Sequence, residues 1–218
     1  MSSISVAGDV SGAISIAAPS AAGSGVLTLP TGTDTLIGKA TTDTLTNKSI
    51  AATQLTGTIA AAALPAGSVL QVVSTTKTDT FSVSTPNFVD VTGLSVSITP
   101  SSASNKILVH CGVGFGASGA ATHGYRLVRD STAICIADAA SLRPRLSSGY
   151  LVPNSEEIQH NSVTFLDSPS TTSATTYKIQ AFGTYSGVWY LNRSESDRDN
   201  ANYDGRTAST ITVMEIKG

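Results

Sequence analysis

Charge is scarce in this sequence, and rings are scarcer. Only 13% of the 218 residues are Asp, Glu, Lys or Arg, 6% are aromatic, and there is a single tryptophan. So few charges do not make a disordered acidic tail, and the hydroxyl-rich remainder is not the usual make-up of a cytosolic enzyme. With a net charge of -2, Lys and Arg are nowhere concentrated, which argues against nucleic acid or an anionic membrane as the main partner. All the arginines lie at or beyond Arg126, scattered among acids, and read as a solvated surface. The two cysteines, Cys111 and Cys135, are too few for a disulfide scaffold; each sits in a strand-like run and reads as a buried free thiol. No basic stretch leading into a long apolar one opens the chain, so no secretory signal is expected. The longest apolar run, Ile59–Leu64, is far too short to span a bilayer. Together these absences predict a soluble protein made in a reducing cytosol, with no membrane insertion.

Ser, Thr, Ala and Gly fill the space that charge and rings leave, and one stretch organises them. In Lys106–Gly116, read KILVHCGVGFG, the residues Ile107, Val109, Cys111, Val113 and Phe115 fall on one face with strict period-2 alternation. Successive strand side chains point to opposite sides, so this predicts the central strand of a β-domain. The opposite face carries Lys106, Leu108, His110 and three glycines, where another strand, sheet or subunit could approach the backbone closely.

Residues 1–66 differ in kind. The first aromatic of the chain is Phe81, and the only charges before residue 67 are Asp9, Asp34, Lys39, Asp43 and Lys48. Short alternating pieces such as Ile14-Ser15-Ile16 and Val26-Leu27-Thr28-Leu29 are separated by glycines. Such a segment cannot bury enough apolar area alone to offset an ordering cost of about 1–2 kcal/mol per residue. Other chains are expected to order it, as an intertwined stalk or a strand laid on a neighbour. Within it, Thr33–Lys39 is echoed nine residues on by Thr42–Lys48, as a narrow symmetric shaft would require.

Several phrases have a familiar form. TDTLTNKSI (42–50), QLTGTI (54–59) and ALPAGSVLQVV (63–73) resemble the linker and neck of bacteriophage tail-fibre and related virion proteins. The resemblance continues through GLSVSITPSSASNKILV (93–109), YRLVRDSTAI (125–134), LDSPSTTSATTYKIQ (166–180) and STITVMEIK (209–217). It implies a C-terminal trimeric β-sandwich head, hence a homotrimer located in the virion and made in the host cytoplasm.

From Gly67 the residues themselves predict an all-β domain. Candidate strands are Val69–Ser74, Phe88–Val91, Leu94–Ile98, Lys106–Gly116, Tyr125–Arg129, Ala133–Ile136, Val163–Asp167, Tyr177–Phe182, Val188–Leu191 and Thr210–Ile216. Turn residues punctuate them, Thr92-Gly93 and Asp204-Gly205 among them. In the last strand Ile211 and Val213 share one face while Met214 and Ile216 share the other, which predicts a bulge near Met214 or a strand covered on both sides. About ten short strands in roughly 150 residues suggest a jelly-roll-like β-sandwich. The one helix candidate is the alanine-rich Ile59–Leu64, ended by Pro65.

Few residues suggest chemistry. Paired carboxylates would be the tools of a glycan hydrolase, and Glu156, Glu157, Asp167, Glu195, Asp197, Asp199 and Asp204 are the candidates. Glu156 and Glu157 are adjacent and point apart in extended chain. The polar run Ser194–Gly205 could offer oxygens to Ca²⁺, but its order does not match a calcium loop, so an exposed loop is expected. His110, His123 and His160 lack metal-ligand spacing, and His110 reads as a polar residue at a subunit contact. No catalytic residue, metal ligand or cofactor is therefore expected. Tyr185–Arg193 gathers the only tryptophan with two tyrosines, an amide and a guanidinium. Rings stack on sugar C–H faces, which makes Trp189, Tyr190, Asn192 and Arg193 a candidate glycan contact. Alternation sends Trp189 and Tyr190 to opposite faces, so at least one of them is structural.

The reading that joins these features is a trimeric phage tail fibre. Residues 1–66 attach to other virion proteins or intertwine, and residues 67–218 form the head that meets host-surface glycan. A capsid decoration or cement protein is the nearest alternative. A glycan-active enzyme or a lectin is the alternative from another class.

Overall fold

The computed structural model describes residues 3–7, 13–17, 49, 57–119, 121–151 and 154–218. The chain divides into two compact units, Met1–Thr56 and Gly57–Gly218. In the first, β1 (Ser3–Ala7) and β2 (Ala13–Ala17) pair antiparallel, with Ser3 opposite Ala17 and Ala7 opposite Ala13. The Ile14–Ile16 piece thus lies in a strand. Val26–Leu29, the repeat at 33–48 and most of the expected arm lie outside the described residues.

Among its described residues the second unit is all-β apart from one 3₁₀ turn, Ala61–Ala63, inside the alanine-rich run. That turn stops where Leu64 adopts extended backbone (φ -77°, ψ 148°), because a residue preceding proline is sterically pushed out of the helical region. Eleven strands follow: β3 (Val69–Lys77), β4 (Phe81–Val83), β5 (Phe88–Ile98), β6 (Lys106–Ala117), β7 (Thr122–Arg129), β8 (Thr132–Ile134), β9 (Ser148–Leu151), β10 (Gln159–Asp167), β11 (Thr175–Phe182), β12 (Trp189–Leu191) and β13 (Ser209–Ile216). No helix among the described residues is long and apolar enough to cross a membrane.

Two curled antiparallel sheets form a jelly-roll-like β-sandwich. In the first, β6 is central: β10 lies along one edge, while β13 and then β12 share the other, backed by β3 and β4. The second sheet runs β5-β11-β7, with β8 and β9 sharing the far edge of β7. The alternation of β6 places Ile107, Val109, Cys111, Val113 and Phe115 in the core between the sheets, all fully buried. Leu94, Leu127, Ile179, Ile211 and Val213 meet them there. Burying each such side chain stabilises the fold by about 1.5–3 kcal/mol relative to leaving it in water. Polar ties also cross the gap. Tyr125 Oη donates to the Asn161 carbonyl at 3.0 Å, and the Asp167 carboxylate accepts from Tyr177 Oη at 2.7 Å and from Arg129 Nη1, 2.8 Å from each carboxylate oxygen.

The ten predicted strands fall on nine observed ones, with different limits, because Phe88–Val91 and Leu94–Ile98 are one strand, β5. The expected turn at Thr92-Gly93 is instead a bulge inside β5: the register with β11 jumps between Lys178 and Gln180, and Gly93 takes φ +84°. A glycine can adopt that left-handed backbone without a Cβ clash, so it bends the strand instead of reversing it. β13 is a central strand between β3 and β6, bulged at Glu215/Ile216, one residue beyond Met214. β4 and β9, of three and four residues, have no counterpart among the predicted strands. Residues 57–66 pack with the sandwich: Lys217 Nζ donates to the carbonyls of Ala62 and Leu64, and Gly67 N donates to the Lys217 carbonyl at 2.8 Å.

Candidate functional site

The aromatic strand β12 lies against β6, with Trp189 opposite Ala117, Tyr190 opposite Gly116 and Leu191 opposite Phe115. Alternation therefore turns Trp189 and Leu191 inward. The Trp189 ring is 0% exposed and stacks on Phe115 at 5.7 Å between centroids, so it presents no face to solvent. Tyr190 points out, and the Arg193 guanidinium lies 4.0 Å over its ring.

Asn192 is buried between them in chain order but serves the backbone. It adopts φ +59°, which asparagine tolerates better than most residues, and its amide donates to the carbonyls of Lys77 (2.8 Å) and Asp79 (3.0 Å). Its Oδ1 accepts from Ser209 Oγ at 2.7 Å. Of the four residues expected to share a glycan contact, the structure brings Tyr190 and Arg193 together on the outer face. Trp189 and Asn192 are enclosed.

Beyond Arg193 the chain folds back over the glycine face of β6. A Cβ at Gly116 would stand 2.6 Å from the Arg193 carbonyl, and one at Gly114 would stand 2.3 Å from Thr207 Oγ1. The close approach anticipated from these glycines is thus made by the chain's own loop. The loop is held by ion pairs. Asp197 accepts from Arg206 Nε and Nη2 at 2.8 Å each, and Arg198 donates Nε to Asp204 at 2.6 Å and Nη2 to Glu156 at 2.7 Å. The Ser194 hydroxyl and the Arg198 guanidinium hold the Asp204 carboxyl below its usual range. A depression of about 450 Å³ lies here, lined by Asp197, Asp199, Asn200 and Asp204 with Arg198 and Arg206. Both carboxylate oxygens of Asp197 and one of Asp204 are committed to guanidinium groups instead of converging on a cation. Among the described residues no group of three His, Cys, Asp or Glu side chains is placed to hold a metal.

The remaining candidates are dispersed. Asp167 is buried in its tie between the sheets, and Glu157 accepts from its neighbour Gln159. His110 lies on the outer face of β6 with Nδ1 2.9 Å from Thr164 Oγ1, and His160 shields Gly112 and Gly114. His123 is fully buried, with Nε2 2.9 Å from the Ser118 carbonyl; desolvation pushes its pKa down. Burial pushes the Cys111 thiol up to about 11, which leaves it unreactive. Cys135 is half-buried and free.

Sequence reasoning missed the outer face of the second sheet. Phe88, opposite Phe182, carries the Arg126 guanidinium 3.7 Å over its ring, and Arg126 Nε donates to Gln180 Oε1 at 2.9 Å. Asp90 accepts from Gln180 at 2.7 Å and from Lys178 at 2.7 Å, which lowers its pKa. The outward alternation of Lys178, Gln180 and Phe182 was visible in TYKIQAF. The cross-strand register that assembles them with Arg126 and Asp90 was not.

No protein-family model matches this chain, and no curated protein sequence matches it.

Proposed function

We propose that this chain is a structural component of a bacteriophage virion, a homotrimeric tail fibre. Its N-terminal arm attaches to other virion proteins, and its β-sandwich projects toward the host surface. The observation that carries the reading is the division at residues 56/57. A unit lacking aromatic residues precedes a sandwich whose core is filled and whose two sheets are tied by Asp167 and Tyr125. An attachment segment joined to a self-sufficient head is what a projecting fibre needs. The tail-fibre phrases in 42–73 and 93–109 support the same reading. Outward-facing Tyr190 and Arg193 are the part of the glycan contact this geometry favours, and three copies would multiply a weak contact.

The test is gold-labelled antibody against residues 67–218, imaged on intact phage particles by electron microscopy. Label at the tail tip or side fibres is the expected result. Label spread over the head would make the protein a decoration or cement protein, and unlabelled particles would remove it from the virion.

A further inference from the structure

The outer face of the first sheet carries hydrocarbon where a solvated face should be polar. Val72 on β3 stands opposite Met214 on β13, Met214 opposite Leu108 on β6, and Leu108 opposite Leu166 on β10. Four strands thus contribute one in-register apolar row. Val72 is 54% exposed and Leu166 48%, with Met214 and Leu108 half-buried between them. Val69, 51% exposed, stands opposite Ile216 and lengthens the patch toward the start of β3.

We propose that this stripe is where the head meets other copies of the same chain, each turning the same face toward a shared symmetry axis. The inference rests on the trimer reading above and adds the surface to it. Close to a shared symmetry axis a charge faces its own copies, so the part of a self-associating face nearest the axis is best left uncharged. This one is: the row holds no ionised group, and Lys106, opposite Ile216, lies at its rim. The adjoining row is polar and partly paired within itself, Ser74 Oγ lying 2.7 Å from Thr212 Oγ1 and His110 Nδ1 2.9 Å from Thr164 Oγ1. Covering it would strand few hydrogen-bonding groups. The outer face of the other sheet, with Asp90, Lys178 and Arg126, has the opposite character. The stripe also begins where residues 57–68, pinned by Lys217, lead into β3.

The test uses the full chain carrying Leu166→Cys, treated with a short bismaleimide. Tyr185→Cys, at a 93% exposed position, is the control, and the unsubstituted chain sets the background from Cys111 and Cys135. The expected result is intermolecular crosslinking at residue 166 at least tenfold above the control, abolished when Val72→Lys is added. Associated copies that crosslink no better at 166 than at 185 would overturn the proposal. So would a monomeric chain, whether its residue 166 reacts quickly with a maleimide (an open stripe) or slowly (a stripe covered by the chain's own residues). Crosslinked stripes in a protein absent from labelled particles would refute the virion reading and leave the interface standing. Labelled particles without crosslinks would do the reverse.

Discussion

Two rows of the first sheet, one residue apart along every strand, reverse the usual order of a half-buried sheet. The inner row reads Gln71, Glu215, Ile107 and Asp167; the outer row reads Val72, Met214, Leu108 and Leu166. Carboxylates face inward and hydrocarbon faces outward. The difference lies in partners. Inside, Glu215 receives Gln71 Nε2 (2.6 Å), the Ser101 backbone N–H (2.6 Å), Ser101 Oγ (2.8 Å) and Asn105 Nδ2 (2.6 Å), while Asp167 receives Arg129 and Tyr177. Outside, Val72 and Leu166 are about half exposed, and Met214 and Leu108 lie partly buried between them. A buried charge is tolerated where each oxygen has a donor, and an exposed apolar row marks a surface whose covering is still to come.

The largest break in this comparison is Asp167→Ala. It leaves Arg129 without its counter-charge and Tyr177 Oη without its acceptor, between two sheets. Removing one partner of a buried ion pair costs about 3–5 kcal/mol, and the partial exposure of Arg129 puts the loss near the lower end. Urea denaturation of the variant should show a loss of about 3 kcal/mol. A loss no larger than a surface substitution produces would mean that the tie between the sheets is incidental.

Glu215→Gln is smaller and carries a pH signature. The amide keeps the shape but offers one acceptor where the carboxylate offers two, so a donor from Gln71 or from the Ser101–Asn105 group is left unpaired, at about 1–3 kcal/mol. Burial alone would raise the carboxyl pKa, but hydrogen bonds from Asn105, Gln71 and Ser101 outweigh it and hold the folded-state value below the ordinary one. A depressed folded-state pKa contributes stability above the unfolded value of about 4.3 and loses it as pH falls through the folded one. The stability gap between wild type and Glu215→Gln should therefore be constant near neutrality and close in acid. A gap that changes already above the ordinary carboxyl range would show that hydrogen bonding to the ionised form is not what holds Glu215 inside.

These carboxylates also mark what the sequence could reveal. Lys106–Gly116 announces the central strand because its apolar positions alternate over eleven residues, and its glycines announce close backbone approach. The role of Glu215 is not visible locally, because its donors come from Gln71, Ser101 and Asn105, far away in the chain. Trp189 and Tyr190 can be assigned to opposite faces by alternation. Only the pairing of Trp189 with Ala117 decides that tryptophan takes the inner one. The outer row was the least legible. Val72, Leu108, Leu166 and Met214 each look like a single lapse in a local pattern, and register alone joins them into a surface.

The finest test of the comparison uses one substitution on both sides of the same pair of strands. Val213→Thr and Val72→Thr each replace a methyl with a hydroxyl and keep the β-branch, so strand propensity is unchanged. Val213 is fully buried, with hydrocarbon around it, and a hydroxyl there goes without a partner at about 1–3 kcal/mol. At Val72, half in water, the same hydroxyl keeps its hydration, and the change in folding stability should stay within about 0.5 kcal/mol. Thermal denaturation of dilute protein measures both. Equal losses at the two positions would mean that the outer row is already covered within a single chain. A loss at Val72 that grows with protein concentration would instead locate its cover in a second copy, since only association makes apparent stability depend on concentration.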